Sequence, residues 1–178
     1  LLTLVSSLNL DLSKAILALQ SWSPLAGRGQ VLELKLKASN FNEAIHLIDE
    51  SYNANPSSVK SSLETLACIF TNKKGKGEYY RRIAVLGDML ELGFSEIQEH
   101  VNISKFARLD KIDKIYCVGS RMKKLFDVLP YSKRGFWTKT AEEMQHVLVN
   151  KLKSGDIIMI KGSLSMGMKT IVNKLKNI

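Results

Sequence analysis

The residues able to do chemistry gather at a few places in the chain. Asp49 and Glu50 open the segment Asp49-Glu-Ser-Tyr-Asn-Ala-Asn-Pro56, and two adjacent carboxylates can accept hydrogen bonds from ribose hydroxyls. Lys161 opens Lys161-Gly-Ser-Leu-Ser-Met-Gly167, where a cation beside the free amides of a helix start can hold an anion. Gly87-Asp-Met-Leu-Glu-Leu-Gly93 and Gly119-Ser-Arg121 are two further polar, glycine-bearing stretches. Each has a plainer reading alone, since Asp and Asn cap helices and Gly permits tight turns.

Other chemistries find little support. His46, His100 and His146 are dispersed and form no His-x-x-x-His pair, which argues against a metal site. Two cysteines are too few for a disulfide framework or a four-Cys zinc site, and Cys68 and Cys117 read as core thiols. No Gly-x-Ser-x-Gly elbow suggests a hydrolase. Gly162-Ser-Leu-Ser-Met-Gly-Met-Lys-Thr170 approximates a P-loop with one residue too many, which turns Lys169 by about 100° on the helix. Met166 and Met168 read as packing residues.

The elements that must position these loops alternate strand and helix. Asp11 caps a predicted helix over 12–22, and Pro24, Gly27 and Gly29 then break the pattern, placing a boundary between about residues 23 and 43. Val31–Leu36 alternates at period two and forms a hairpin with Ala44–Ile48 through a turn at 41–43. Asn55-Pro56 starts a helix whose apolar face is Val59, Leu63, Leu66, Ala67 and Phe70. A basic loop over 71–80 leads to strands at 82–86, 114–118, 135–138 and 156–160. Helices fall between them, over 95–109, 121–129 and 140–152, and a last one spans 166–176. Capping boxes at Ser95–Gln98 and Thr140–Glu143 open two of these. Continuous apolar strands alternating with amphipathic helices predict an α/β fold, a Rossmann-like, doubly wound, mostly parallel sheet with helices on both faces. Ligands in such folds sit beyond the carboxyl ends of the strands, where the polar loops lie.

Composition bounds the rest. The 178 residues are 45% hydrophobic and 24% charged, which excludes a disordered chain. No run of about 18 apolar residues exists to span a membrane. No basic region precedes the apolar start, so a signal peptide is not expected, and the chain reads as the interior of something longer. Reduced thiols fit a cytoplasmic protein. The net charge of +9 is spread over the chain and only 7% of residues are aromatic, so a solvated lysine-rich surface is favoured over a nucleic-acid groove.

Taken in order, Leu47-Ile-Asp-Glu-Ser-Tyr-Asn-Ala-Asn-Pro56, Ala84-Val-Leu-Gly-Asp-Met-Leu-Glu-Leu-Gly93 and Ile160-Lys-Gly-Ser-Leu-Ser-Met166 resemble the C-terminal part of a Mur ligase. Ala26-Gly-Arg-Gly29 resembles the segment closing that family's central domain. The resemblance runs from about Asp11 to the end of the chain. It implies that residues 1–30 are the tail of a central ATP-binding domain and 31–178 the family's C-terminal domain. It implies ATP-dependent amide formation between UDP-N-acetylmuramoyl-tripeptide and D-alanyl-D-alanine through an acyl phosphate, with ATP and Mg2+ bound mainly in the rest of a monomeric ligase. This chain alone would then be inactive; the alternative is a stand-alone nucleotide- or peptide-binding module.

The same resemblance implies roles for single residues. Arg28 meets nucleotide phosphate or ribose, Asp49 and Glu50 hold the ribose, and Asn53 and Asn55 shape the nucleotide edge. Lys161 and Ser163 face the peptide. Two positions depart from the family's usual pattern. Glu50 stands where Asp is usual, moving the carboxylate by about an ångström, and Leu164 stands where a bidentate Arg is usual.

Overall fold

The computed structural model describes residues 2–35, 44–69, 73–74 and 78–177. The turn expected at 41–43 and the core position expected at Phe70 lie outside these residues. Two short helices come first, α1 (Leu2–Ser7) and α2 (Leu12–Gln20). Asp11 caps α2 by accepting from the amides of Ser13 and Lys14. Neither helix contributes a buried residue, and Leu4, Leu8, Leu10, Leu17 and Trp22 are each about 60% exposed or more.

The strands are β1 (Gln30–Lys35), β2 (Ala44–Glu50), β3 (Lys73–Lys74), β4 (Glu78–Tyr79), β5 (Arg82–Gly87), β6 (Lys114–Val118), β7 (Arg134–Thr138) and β8 (Ile157–Lys161). Six of them form one sheet in the order β1-β2-β8-β5-β6-β7, while among the described residues β3 and β4 pair only with each other. β1 is antiparallel to β2, as the hairpin reading expected, and the other neighbours are parallel. β8, the latest strand in sequence, lies between β2 and β5.

Alternation along the strands sorts side chains to the two faces. Ile48, Ala84, Leu86, Ile115, Cys117, Ile157 and Met159 meet one set of helices, α3 (Pro56–Cys68) and α5 (Ser120–Val128), with α4 (Glu96–Asn102) packed beside α5. Ile45, Leu47, Ile83, Val85, Val118, Ile158 and Ile160 meet α6 (Ala141–Val149) and α7 (Lys169–Lys176) on the other. Each fully buried Leu or Ile stabilises the fold by about 1.5–3 kcal/mol relative to exposure, so covering both faces is what holds the sheet together. The predicted doubly wound architecture is the one observed.

Several details depart from the sequence reading. Ser95 makes no capping box: its backbone is already helical in a preceding 3-10 turn, so its hydroxyl donates back to Leu92 O. The helix it was to open ends at Asn102 rather than near Leu109, tightening into a 3-10 turn before Phe106 turns extended. Cys68 is exposed at the last turn of α3 with the Arg108 guanidinium 2.9 Å from its sulfur, whereas Cys117 is buried in β6. Thr140 caps α6 through Glu143 N, but Glu143 accepts from Lys139 N rather than from the cap residue.

Candidate functional site

The carboxyl ends of β2 and β8 adjoin, with Glu50 opposite Lys161 in the parallel register. Asp49 and Glu50 therefore point to opposite faces, and they meet different partners. Asp49 is 1% exposed. Its Oδ2 accepts from Gly27 N at 3.1 Å, and its Oδ1 accepts from Ser51 N at 3.1 Å and Ser51 Oγ at 2.6 Å. Its backbone carbonyl accepts from Gly29 N, and Tyr52 N donates to Gly27 O. Asp49 thus hooks the Gly27–Gly29 turn onto the end of β2. Gly27 sits at φ +79 with Tyr52 N only 2.9 Å from where a Cβ would be, so this turn requires glycine.

The hook places Arg28 beside the following loop, its guanidinium carbon 4.0 Å from the centroid of the Tyr52 ring. Glu50 remains partly exposed and accepts from Lys161 Nζ at 3.4 Å. Lys161 is 3% exposed and also donates to Asn53 O at 3.0 Å. Burial pushes its ammonium below the usual lysine range, and the neighbouring Glu50 carboxylate acts in the opposite direction. Asn53 accepts from Ala54 N. Asn55 caps α3: its Oδ1 accepts from Ser58 N, and its own amide donates to Ser58 Oγ.

A cleft of about 290 Å³ opens among Gly27, Arg28, Glu50, Tyr52, Asn53, Asn55 and Lys161. Five of the seven residues singled out in the sequence line it: Arg28, Glu50, Asn53, Asn55 and Lys161. Asp49 lies beneath it with its carboxylate turned to the hook. Ser163 lies toward β5, 6% exposed, accepting from Leu90 N through Oγ and donating its amide to Asp88 O.

Tyr52 and Gly27 were not singled out by the sequence reading, although both sit inside quoted segments. Asp88 was missed as well. It is buried, accepts from Arg121 N and Met122 N at the start of α5, and lies under Gly119, where a Cβ would come 2.4 Å from its carboxyl carbon. The glycines at Gly87 and Gly162 let β5 and β8 exit side by side, with the buried Met168 filling the space against both. Met168 is therefore the packing residue it was expected to be. Leu164 is exposed. Among the described residues, no three His, Cys, Asp or Glu side chains converge as a metal site would require.

A sheet of this order, with polar loops gathered at its carboxyl edge, defines a class. The family described as Mur ligase, glutamate ligase domain, matches residues 34–164, and the chain belongs to the Mur ligase family. Similar curated proteins include the UDP-N-acetylmuramoyl-tripeptide–D-alanyl-D-alanine ligases of Mycobacterium leprae and Rickettsia prowazekii. The first is 30% identical over 162 residues, covering 85% of this chain and 31% of that protein. The second is 26% identical over 147 residues, covering 83% and 29%. The chain thus spans about three tenths of the length of these relatives. Among solved structures, the MurF ligase of Thermotoga maritima in complex with ADP has a TM-score of 0.74 at 21% identity, covering 99% of this chain and 36% of that one. A MurF from Acinetobacter baumannii has a TM-score of 0.74 at 24% identity, covering 98% and 35%. These two share the fold. No helix among the described residues is long and apolar enough to cross a membrane.

Proposed function

We propose that this chain is the C-terminal part of a cytoplasmic, monomeric ligase that joins D-alanyl-D-alanine to UDP-N-acetylmuramoyl-tripeptide. The terminal carboxylate of the tripeptide gains the γ-phosphoryl group of ATP, leaving ADP. The dipeptide amine then attacks that carbonyl carbon; the C–N bond forms, the C–O bond to phosphate breaks, and the amine loses a proton. The observation that carries this reading is the cleft in which Arg28, Glu50, Asn53, Asn55 and Lys161 come together at the carboxyl edge of the family's sheet.

The cleft suits the sugar and base end of a nucleotide. Tyr52, 44% exposed, offers an aromatic ring, Glu50 an acceptor for hydroxyls, and Arg28 a cation stacked over that ring. In this reading Asp49 acts through the turn it hooks, holding Arg28 over Tyr52. Asn55 fixes the start of α3, and with it the loop carrying Asn53. Lys161 holds Glu50 in place from below and, with Ser163, borders the peptide side. The P-loop and the Mg2+ site belong to the rest of the ligase, whose central domain ends near residue 30. The bare apolar surface of α1 and α2 supports that division, because helices with no buried residue need a further partner to cover Leu4, Leu8, Leu17 and Trp22.

The test is phosphate release coupled to amide formation. The native polypeptide carrying this sequence, given ATP, Mg2+ and both substrates, is expected to release one phosphate per dipeptide joined, and the 178-residue chain alone none above background. A native polypeptide that binds ADP but joins nothing refutes the ligase and leaves the binding module.

A further inference from the structure

Three consecutive amides follow β5, and each is held by a different element. Asp88 N donates to Val118 O at the end of β6, Met89 N to His100 Nε2 on α4 at 2.9 Å, and Leu90 N to Ser163 Oγ beyond β8 at 2.9 Å. His100 is fully buried, and its other ring nitrogen lies 2.5 Å from Glu96 O. Only the tautomer with the proton on Nδ1 satisfies both contacts, donating to Glu96 O and accepting from Met89 N. The next residue, Glu91, is exposed and sits at φ +64. A non-glycine residue keeps a left-handed backbone only where its surroundings over-determine it. Here the two side-chain acceptors just before it do so.

We propose that His100 is a positioning residue. Through the Met89 amide, and with Ser163 acting on the Leu90 amide, it holds the left-handed turn at Glu91 against the peptide side of the site. This rests on the ligase reading above, in which Lys161 and Ser163 border the peptide side and Ser163 ties the loop after β5 to it. Neither side chain need touch substrate. An imidazole suits the task because one rigid ring reaches a helix carbonyl on one side and a loop amide on the other with no exposed atom.

Two readouts test it. In the 178-residue chain, His100→Leu removes both ring contacts, while His100→Gln keeps an acceptor where Nε2 lies. Hydrogen exchange at Met89 is expected to quicken at least about tenfold in His100→Leu and to stay near the parent rate in His100→Gln, with Leu86 and Val118 unchanged in both. Ser163→Ala is expected to do the same at Leu90 without disturbing α4. Exchange that rises equally at Leu86, or does not rise at Met89, overturns the anchoring.

In the native polypeptide, His100→Leu is expected to raise KM for D-alanyl-D-alanine by about tenfold, leave KM for ATP within about twofold, and be rescued by His100→Gln. Equal changes in both KM values, or none, overturn the positioning role. A parent polypeptide with no ligase activity refutes the reading on which this role rests, and Met89 exchange still judges the anchoring separately.

Discussion

Asp49→Asn tests how much of the site hangs on one buried carboxylate. The asparagine oxygen can face Ser51, keeping the contacts at 3.1 and 2.6 Å, or face Gly27, keeping the one at 3.1 Å. The first orientation retains more, and it turns the amide NH2 toward the Gly27 N–H. One hydrogen bond to a charged acceptor is then lost and two donors are opposed, a cost of about 1.5–3 kcal/mol. Spent on local opening of the hook, that corresponds to roughly tenfold to 150-fold faster exchange at Gly27. Urea unfolding of the sheet should move less, because the backbone ladder of β2 with β1 and β8 is untouched. The assay is residue-resolved hydrogen exchange at Gly27, Gly29 and Tyr52, with the Tyr52 ring signals reporting loss of the Arg28 stack. Gly27 exchange within about threefold of the parent refutes the hook as the element that sets Arg28 over Tyr52.

Lys161→Met should alter the pH dependence of stability. The folded ammonium titrates below its ordinary 10.5, so between those two values the unfolded chain binds more protons and the Lys161 contribution rises with pH. The stability of the parent relative to Lys161→Met is therefore expected to climb as pH approaches 10.5. Urea titrations across that window check it; taking the difference cancels Cys117 and Tyr116, whose raised values act with the opposite sign in both proteins. Gly119→Ala drives a methyl group into Asp88 at a backbone of φ +106 and should cost at least about 3 kcal/mol by thermal or urea unfolding. Asn55→Ala removes the cap of α3 and should cost about 1–2 kcal/mol, with Asn55→Asp recovering most of it.

The strands of the six-stranded sheet were legible because most of their apolar runs are continuous or strictly alternating, and the helix starts at Asp11, Asn55 and Thr140 because their caps are real; β3 and β4, short and polar, fall in the stretch 71–80 that reads as a basic loop. The parallel order was legible only in kind: nothing local to β8 says that it inserts between β2 and β5. The box at Ser95 misled because spacing does not reveal that Ser95 already lies in a helical turn. Cys68 misled because its place on an amphipathic helix looks like a core position until the face it occupies is known. The cleft was readable as a set of residues but not as a division of labour. The alternation of β2 separates Asp49 from Glu50, yet the partner that claims Asp49 is a glycine amide 22 residues earlier. His100 looked like a dispersed histidine because its contacts are with backbone atoms, which carry no sequence signature.

The position of β8 bears on how this polypeptide is made. β1 and β2 form one ribbon and β5, β6 and β7 another, and among the described residues no ladder joins the two except through β8, which follows all five in sequence. Until residues 157–161 are translated, both ribbons expose an edge and an uncovered apolar face, and their union waits on contacts of long sequence separation. A premature stop between β7 and β8 therefore yields two unjoined ribbons rather than a shortened sheet. Quality control can recognise such products by their open edges.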